Sequence, residues 1–386
     1  MPNLLNLRKF VAPEIIFGAG ARMLVGKYAQ QFSVEKALLV TDPGVIAAGW
    51  LEDVQQSLQQ NGIAYHVFAD VSANPRSTEV MLGAEVYHQH SCNIIIAIGG
   101  GSPMDCAKGI GIVVTNNLDI LKFEGVDKIQ LPVPPLIFIP TTAGSSADVS
   151  QFCIIANQQE RVKIAIISKS IVPDVSLIDT ETTLTMDPYL TACTGIDALV
   201  HAIEAFVSTG SGVLTDMYAL EAIKLIRQHL PGLIKDPTNV ALKENIMLAS
   251  MKSGLAFSNA ILGAVHAMAH SLGGYLDLAH GECNAMLLEH VINYNFDSAV
   301  DRYKPVAEAM GIEMKGLTSN AIKHQLIASI ETLKKEVGIM NQLRQKGVHA
   351  SDIPILSKKA VQDACLITNP RKATAEDIKI IFEEAM

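Results

Sequence analysis

Short apolar runs alternate with longer stretches of mixed polarity over the first half of the chain. KALLV, YHVF, NIIIAI and PLIFI are rich in β-branched and aliphatic residues and end in Asp, Gly or Thr, which predicts buried strands. They run out at Asp42, Asp70, the glycines 99–101 and Thr141–Thr142. Helical stretches separate them, so the pattern predicts a doubly wound α/β sheet whose strand ends present small and polar residues along one binding edge. Beyond MDPYLTACTG the strand signals stop. Helical periodicity takes over through MYALEAIKLIRQHL, NIMLASMKSGLAFSNAIL and AIKHQLIASIETLKKEV, with Met217, Leu220 and Ile223 on one stripe.

A chain of 386 residues exceeds what one hydrophobic core usually serves. The expected organisation is an α/β domain over 1–187 and an all-helical domain over 188–386, packed tightly around a cleft, because no repeat, low-complexity tract or long linker intervenes.

Charge narrows the partners. There are 30 Lys and Arg against 39 Asp and Glu, with no basic block, so a nucleic-acid footprint is not expected. No apolar run approaches the roughly 18–20 residues that cross a bilayer, and the start MPNLLNLRKF lacks an uninterrupted apolar core, so a cytoplasmic protein without a membrane partner is expected. Six cysteines stand singly without a CxxC, which predicts reduced, mostly buried thiols.

GGGSPMDCAKGIG, from Gly99 to Gly111, follows a buried run and opens what reads as an amphipathic helix. Backbone N–H groups in such a turn approach a diphosphate without interference from Cβ atoms, and the helix start favours negative charge. Neither GxxxxGK[ST] nor GxGxxG is satisfied, so a plain strand-to-helix turn competes with cofactor binding. Asp42 in VTDPG could receive ribose hydroxyls and favour NAD over NADP, although Asp-Pro-Gly is also an ordinary turn. Asn74 and the Thr141, Thr142, Gly144 group add small polar side chains at the same edge.

The helical half carries the second candidate chemistry. Asp197 and His201 are four apart in GIDALVHAIEAF, hence one turn apart on one face. HAMAHSLGGYLDLAH holds His266, His270 and His280, with Gly273 and Gly274 read as the helix end and His280 as returning on a loop. A carboxylate and several imidazoles on apolar helices point to a bound first-row divalent cation held by nitrogen and oxygen. Spacing alone does not decide which of the clustered histidines bind it.

GGGSPMDCAKGIG, PTTAG, TACTGIDALVHAIEAFVS, GLAFSNAILGAVHAMAHSLGG, HGECNAMLL and TNPR occur in the order found in the iron-containing (group III) alcohol dehydrogenases, and the resemblance spans nearly the whole chain. It implies an N-terminal Rossmann-like dinucleotide-binding domain followed by an all-α metal-binding domain, a dehydroquinate synthase-like architecture. It also implies metal ligands Asp197, His201, His266 and His280, and a role near nicotinamide and substrate for His270, as a proton relay. The cofactor residues it implies are Asp42, Asn74, Gly100, Gly101, Ser102, Asp105, Thr141, Thr142 and Lys163. NAD is the expected cofactor and Fe(II) the expected ion, with Zn(II), Co(II) or Ni(II) as substitutes. Family members are commonly dimers or larger.

Three departures stand out: Ser146, Ala147 and Asp148 in the stretch after PTTAG, Ala279 where a proline is usual, and Glu289 where another proline is usual.

The implied reaction is reversible hydride transfer between a primary alcohol, or its aldehyde, and NAD. Gly254, Ala256 and Gly263, with Phe257 and Leu262 as apolar walls, point to a short alcohol unless the small residues serve helix packing. Two rival readings are a dehydroquinate synthase-like lyase, which needs a basic pocket where this chain has almost no Lys or Arg, and a metal- and nucleotide-binding regulatory protein with little turnover.

Overall fold

The computed structural model describes residues 9–340 and 342–386. Nine strands lie between Glu14 and Ile178: β1 (Glu14–Phe17), β2 (Lys36–Val40), β3 (Ala64–Phe68), β4 (Ile94–Gly99), β5 (Gly125–Val126), β6 (Leu136–Pro140), β7 (Phe152–Asn157), β8 (Val162–Ile167) and β9 (Val175–Ile178). Six of them form one wholly parallel sheet in the order β1-β9-β6-β4-β2-β3. Its central strands are buried on both faces, which is why they read as unbroken apolar runs. The chain runs from β2 outward to β3 and then back to β4 on the other side of β2. The carboxyl ends of β2 and β4 therefore flank a topological switch point, the crevice where open α/β sheets bind ligands.

A second sheet, ordered β5-β8-β7, pairs β7 and β8 as an antiparallel hairpin. The helix Gly101–Asn116 packs against β4 and β7, between the two sheets. It is consequently buried from Pro103 to Val114 save Asp105, rather than amphipathic as its sequence suggested.

After Asp187 the described residues contain helices and no strands. Asp187 starts them as an N-cap whose carboxylate accepts the N–H groups of Tyr189 and Leu190, with Pro188 in the first turn. Pro188–Val207 is the one helix among the described residues long and apolar enough to cross a bilayer on its own, yet 89% of its most apolar 18-residue stretch is buried inside the protein. The helices Val213–Lys235 and Val240–Ala260 pack on it.

Two readings of this half need correction. The Met217, Leu220, Ile223 stripe buries only its Ile223 end, and Met217 is 64% exposed. The helix Ala264–Leu276 also continues through Gly273 and Gly274. Those glycines set how closely it packs on β8: a Cβ on Gly274 would sit 2.4 Å from Val162 Cα, and one on Gly273 would sit 2.9 Å from Lys163 Nζ. The helix stops at Asp277, which takes the left-handed conformation (φ 57°).

Candidate metal and cofactor site

One cavity of about 810 Å³ runs from the carboxyl ends of β2 and β4 to the helical half. Every residue of the expected cofactor set lines it, as do His270 and the four expected metal ligands. At the switch point, Gly99 takes φ +156°, and a Cβ there would meet Pro103 at 2.6 Å, so only glycine fits this approach to the helix start. Asp42 caps the helix Pro43–Ala47 by accepting the N–H of Val45 at 3.0 Å, which realises the turn reading while still leaving its carboxylate on the cavity wall. Ser102 Oγ donates to the carbonyl of Ala73. Asn74 does not stay on its own sheet edge: its amide donates to Asp277 Oδ1 at 2.6 Å, from the β3 side to the helical half.

Lys163 is buried and Asp105 half-buried on the cavity wall. Burial raises the Asp105 carboxyl to about 7 against the pull of Lys108, and burial lowers the Lys163 ammonium. Lys163 is carried by β8, a strand that was not recognised from sequence.

Asp197 and His201 project from one face of Pro188–Val207, as their spacing requires. His266 comes from the first turn of Ala264–Leu276. His280 is the first residue of the helix His280–Asn295, reached through the short segment Asp277–Ala279. One ligand atom from each of the four lies within 4.8 Å of all the others. Asp197 Oδ2 lies 4.0 Å from His201 Nδ1, while its Oδ1 lies 4.0 Å from His266 Nε2 and 3.8 Å from His280 Nε2. A tetrahedral cation with bonds of about 2.1 Å has edges of about 3.4 Å, so the set fits one after a small contraction. His201 Nδ1 is buried and has no protein partner, an orphaned lone pair of the kind a cation satisfies. Burial holds His201 down to about 3 and His266 and His280 well below the ordinary range, so all three stay neutral with lone pairs available.

Three groups around these ligands were not singled out from sequence. Glu204 is 4% exposed and accepts from His266 Nδ1 at 2.7 Å, Val265 N at 2.7 Å and Gly263 N at 3.1 Å. Asn284 is fully buried with its amide nitrogen among the ligands. Asp363 accepts from His270 Nδ1 at 2.8 Å and from the N–H of Cys365. Although burial pushes Asp363 up, His270 brings it below the usual carboxylate range. Glu204 follows His201 by three positions and Asn284 follows His280 by four. Helical spacing from a candidate ligand was therefore a usable signal for both, and Asp363 offered none.

The cleft beside the ligands is apolar. Phe257 stacks on His201 at 4.3 Å between centroids and meets Phe152 edge-on, and Leu262 completes this wall. Leu262 is aimed there by Ile261, a β-branched residue held at φ 65° where two helices meet at 100°. Gly254, Ala256 and Gly263 do not line the cavity. Gly254 packs on Ser146 and Val149, and Gly263 on Glu204 and Asn369, so their smallness serves close packing rather than substrate.

The departures also find places. Ser146 donates to the carbonyl of Ser250, buried Asp148 accepts from Ser176, and Glu289 pairs with Lys334 at 2.5 Å. Ala279 is the N-cap before His280. All six cysteines are buried free thiols.

Residues 12–180 match the family model described as iron-containing alcohol dehydrogenase, and residues 191–386 match that of the Fe-containing alcohol dehydrogenase family, C-terminal. The 1,3-propanediol dehydrogenase of Klebsiella pneumoniae is 38% identical over 97% of this chain and 98% of its own. The NAD-dependent methanol dehydrogenase of Bacillus methanolicus is 35% identical over 98% and 99%. Among solved structures, a 1,3-propanediol oxidoreductase superposes with a TM-score of 0.95 at 37% identity, covering 99% of this chain and all of the other.

Proposed function

The chain belongs to the iron-containing alcohol dehydrogenase family and is an oxidoreductase, and we propose that it moves a hydride reversibly between a short primary alcohol, or its aldehyde, and NAD. Asp197, His201, His266 and His280 hold the cation, for which Fe(II) is our choice, with Zn(II), Co(II) or Ni(II) as substitutes. Such an ion supplies Lewis acidity toward an alcohol or carbonyl oxygen, and NAD supplies the hydride acceptor. The nine cofactor residues named above bind NAD. Asp42 favours the unphosphorylated ribose by repelling a 2′-phosphate. We place the division between the two domains at 187/188, and take the protein as a cytoplasmic homodimer or larger assembly.

The observation that carries this reading is the continuity of the cavity: the glycine-rich helix start and the four ligand atoms line the same space. A dinucleotide lying along it would bring its ring toward the ligands, which is the proximity that hydride transfer needs. Phe152, Phe257 and Leu262 exclude water from that end and fit a short aliphatic chain. His270 is held by Asp363 through Nδ1, so Nε2 is its remaining nitrogen for carrying a proton. The lyase reading is disfavoured because, among the described residues, Arg76 and Lys163 are the only Lys or Arg on the cavity wall.

The test is turnover. Protein loaded anaerobically with Fe(II) and given NAD with C2 to C4 primary alcohols should generate NADH absorbance. His266→Ala should abolish metal binding, whereas His270→Ala should keep the metal and slow turnover. Bound metal and NAD without turnover of any alcohol or aldehyde would favour the regulatory reading instead.

A further inference from the structure

Asn284 lies on His280–Asn295, one turn beyond His280 and on the same face. Its side chain is wholly buried. The amide nitrogen is 2.6 Å from Asp197 Oδ1, 3.1 Å from His266 Nε2 and 3.2 Å from His280 Nε2, so it touches three of the four expected ligands through the atoms that face one another. The opposite end of the amide, Oδ1, is buried without a partner. The reverse orientation would set two acceptors, Oδ1 and a carboxylate oxygen, at 2.6 Å, so the NH₂ group is the end that faces the ligands.

Two N–H bonds cannot serve three acceptors at once. One amide at the hub of these atoms therefore keeps their lone pairs converging on one place without saturating them. The acceptors also differ in what they can keep. A carboxylate oxygen has two lone pairs and can hold the Asn284 N–H while offering the other to a cation, whereas a neutral imidazole nitrogen has only one.

We propose that Asn284 is a positioning residue of the metal centre: its amide fixes the Asp197 carboxylate and holds the metal-free ligand set open toward a divalent cation. This rests on the reading that Asp197, His201, His266 and His280 bind that cation. The unpartnered buried Oδ1 is a cost that accompanies placing the amide nitrogen among these three side chains. Asn284 touches neither the cofactor wall nor the apolar wall of the cleft and is not among the residues lining the cavity.

The experiment compares wild type, Asn284→Leu, Asn284→Ala and His266→Ala, each stripped of metal and titrated with Co(II) against a chromophoric chelator. Co(II) absorption, thermal midpoints with and without Co(II), and NAD affinity are also recorded. Both Asn284 variants should bind Co(II) about 10- to 100-fold more weakly, as for other supports of metal ligands. Their Co(II)-induced rise in midpoint should shrink and their NAD affinity stay unchanged. If either variant folds and binds Co(II) within twofold of wild type, with an undiminished rise in midpoint, Asn284 is merely structural and the inference is overturned. If wild type itself binds no Co(II), or binds it no better than His266→Ala, the metal reading fails and takes this inference with it.

Discussion

Glu204 offers the sharpest test of how the fold holds the proposed metal ligands. The carboxylate is buried beneath the start of Ala264–Leu276, where Gly263 N and Val265 N donate to it at 3.1 and 2.7 Å and His266 Nδ1 lies at 2.7 Å. The backbone N–H of His266 adds a long contact at 3.4 Å. Glu204 thus caps a helix from a distant element and fixes the tautomer of His266, with Nδ1 protonated and Nε2 turned toward Asp197. In Glu204→Ala, three well-formed donors lose their acceptor at once. An orphaned buried donor costs about 1–3 kcal/mol. Three such donors sum to about 3–9 kcal/mol, of which water entering the vacated space would recover part. A loss of about 3–5 kcal/mol in the metal-free protein is therefore expected by urea unfolding. A second consequence is weaker metal binding by about 10- to 100-fold, because His266 no longer has one preferred tautomer. Glu204→Gln should fall between, since one amide oxygen still accepts while its NH₂ group faces donors. A loss below about 1 kcal/mol in Glu204→Ala, with unaltered metal affinity, would refute the account.

Two further outcomes are expected. Lys108 is fully buried, donating to the carbonyls of Ser150 and Phe152 at 2.8 Å each, and burial lowers its ammonium to about 8 from an ordinary 10.5. Between those values the unfolded chain holds a proton that the folded chain lacks, so folding stability relative to Lys108→Met should rise with pH from about 8 to 10.5 and be lost as pH falls through 8, by up to about 1.4 kcal/mol per pH unit. Urea unfolding of both proteins from pH 7 to 10 measures this, and a flat or inverted difference would contradict it. Asp42→Gly should weaken NAD and strengthen NADP by about tenfold each in fluorescence titrations, at a stability cost of only about a few tenths of a kcal/mol from the changed cap on Pro43–Ala47, since glycine is itself a tolerated N-cap. An unchanged preference would leave Asp42 as a cap alone.

Contiguous stretches carried much of this in one dimension. Unbroken aliphatic runs mark β2, β4 and β6 because a parallel sheet buries both faces, and four-residue spacing already puts Asp197 beside His201 because a helix returns to the same face in that interval. The edge strand β1 and the hairpin β7–β8 were not legible, since none of the three shows a clean two-residue alternation. Gly273 and Gly274 read as a helix end, because local propensity cannot register that β8 presses against them; close packing outweighs the cost of glycine in a helix. Glu204 under His266, Asn284 against Asp197 and His266, Asp363 on His270 and Asn74 against Asp277 pair residues 18 to 203 positions apart. No periodicity encodes such separations. They exist because packed helices with fixed crossing geometry deliver side chains from separate segments to one buried point, where every polar group must find a partner.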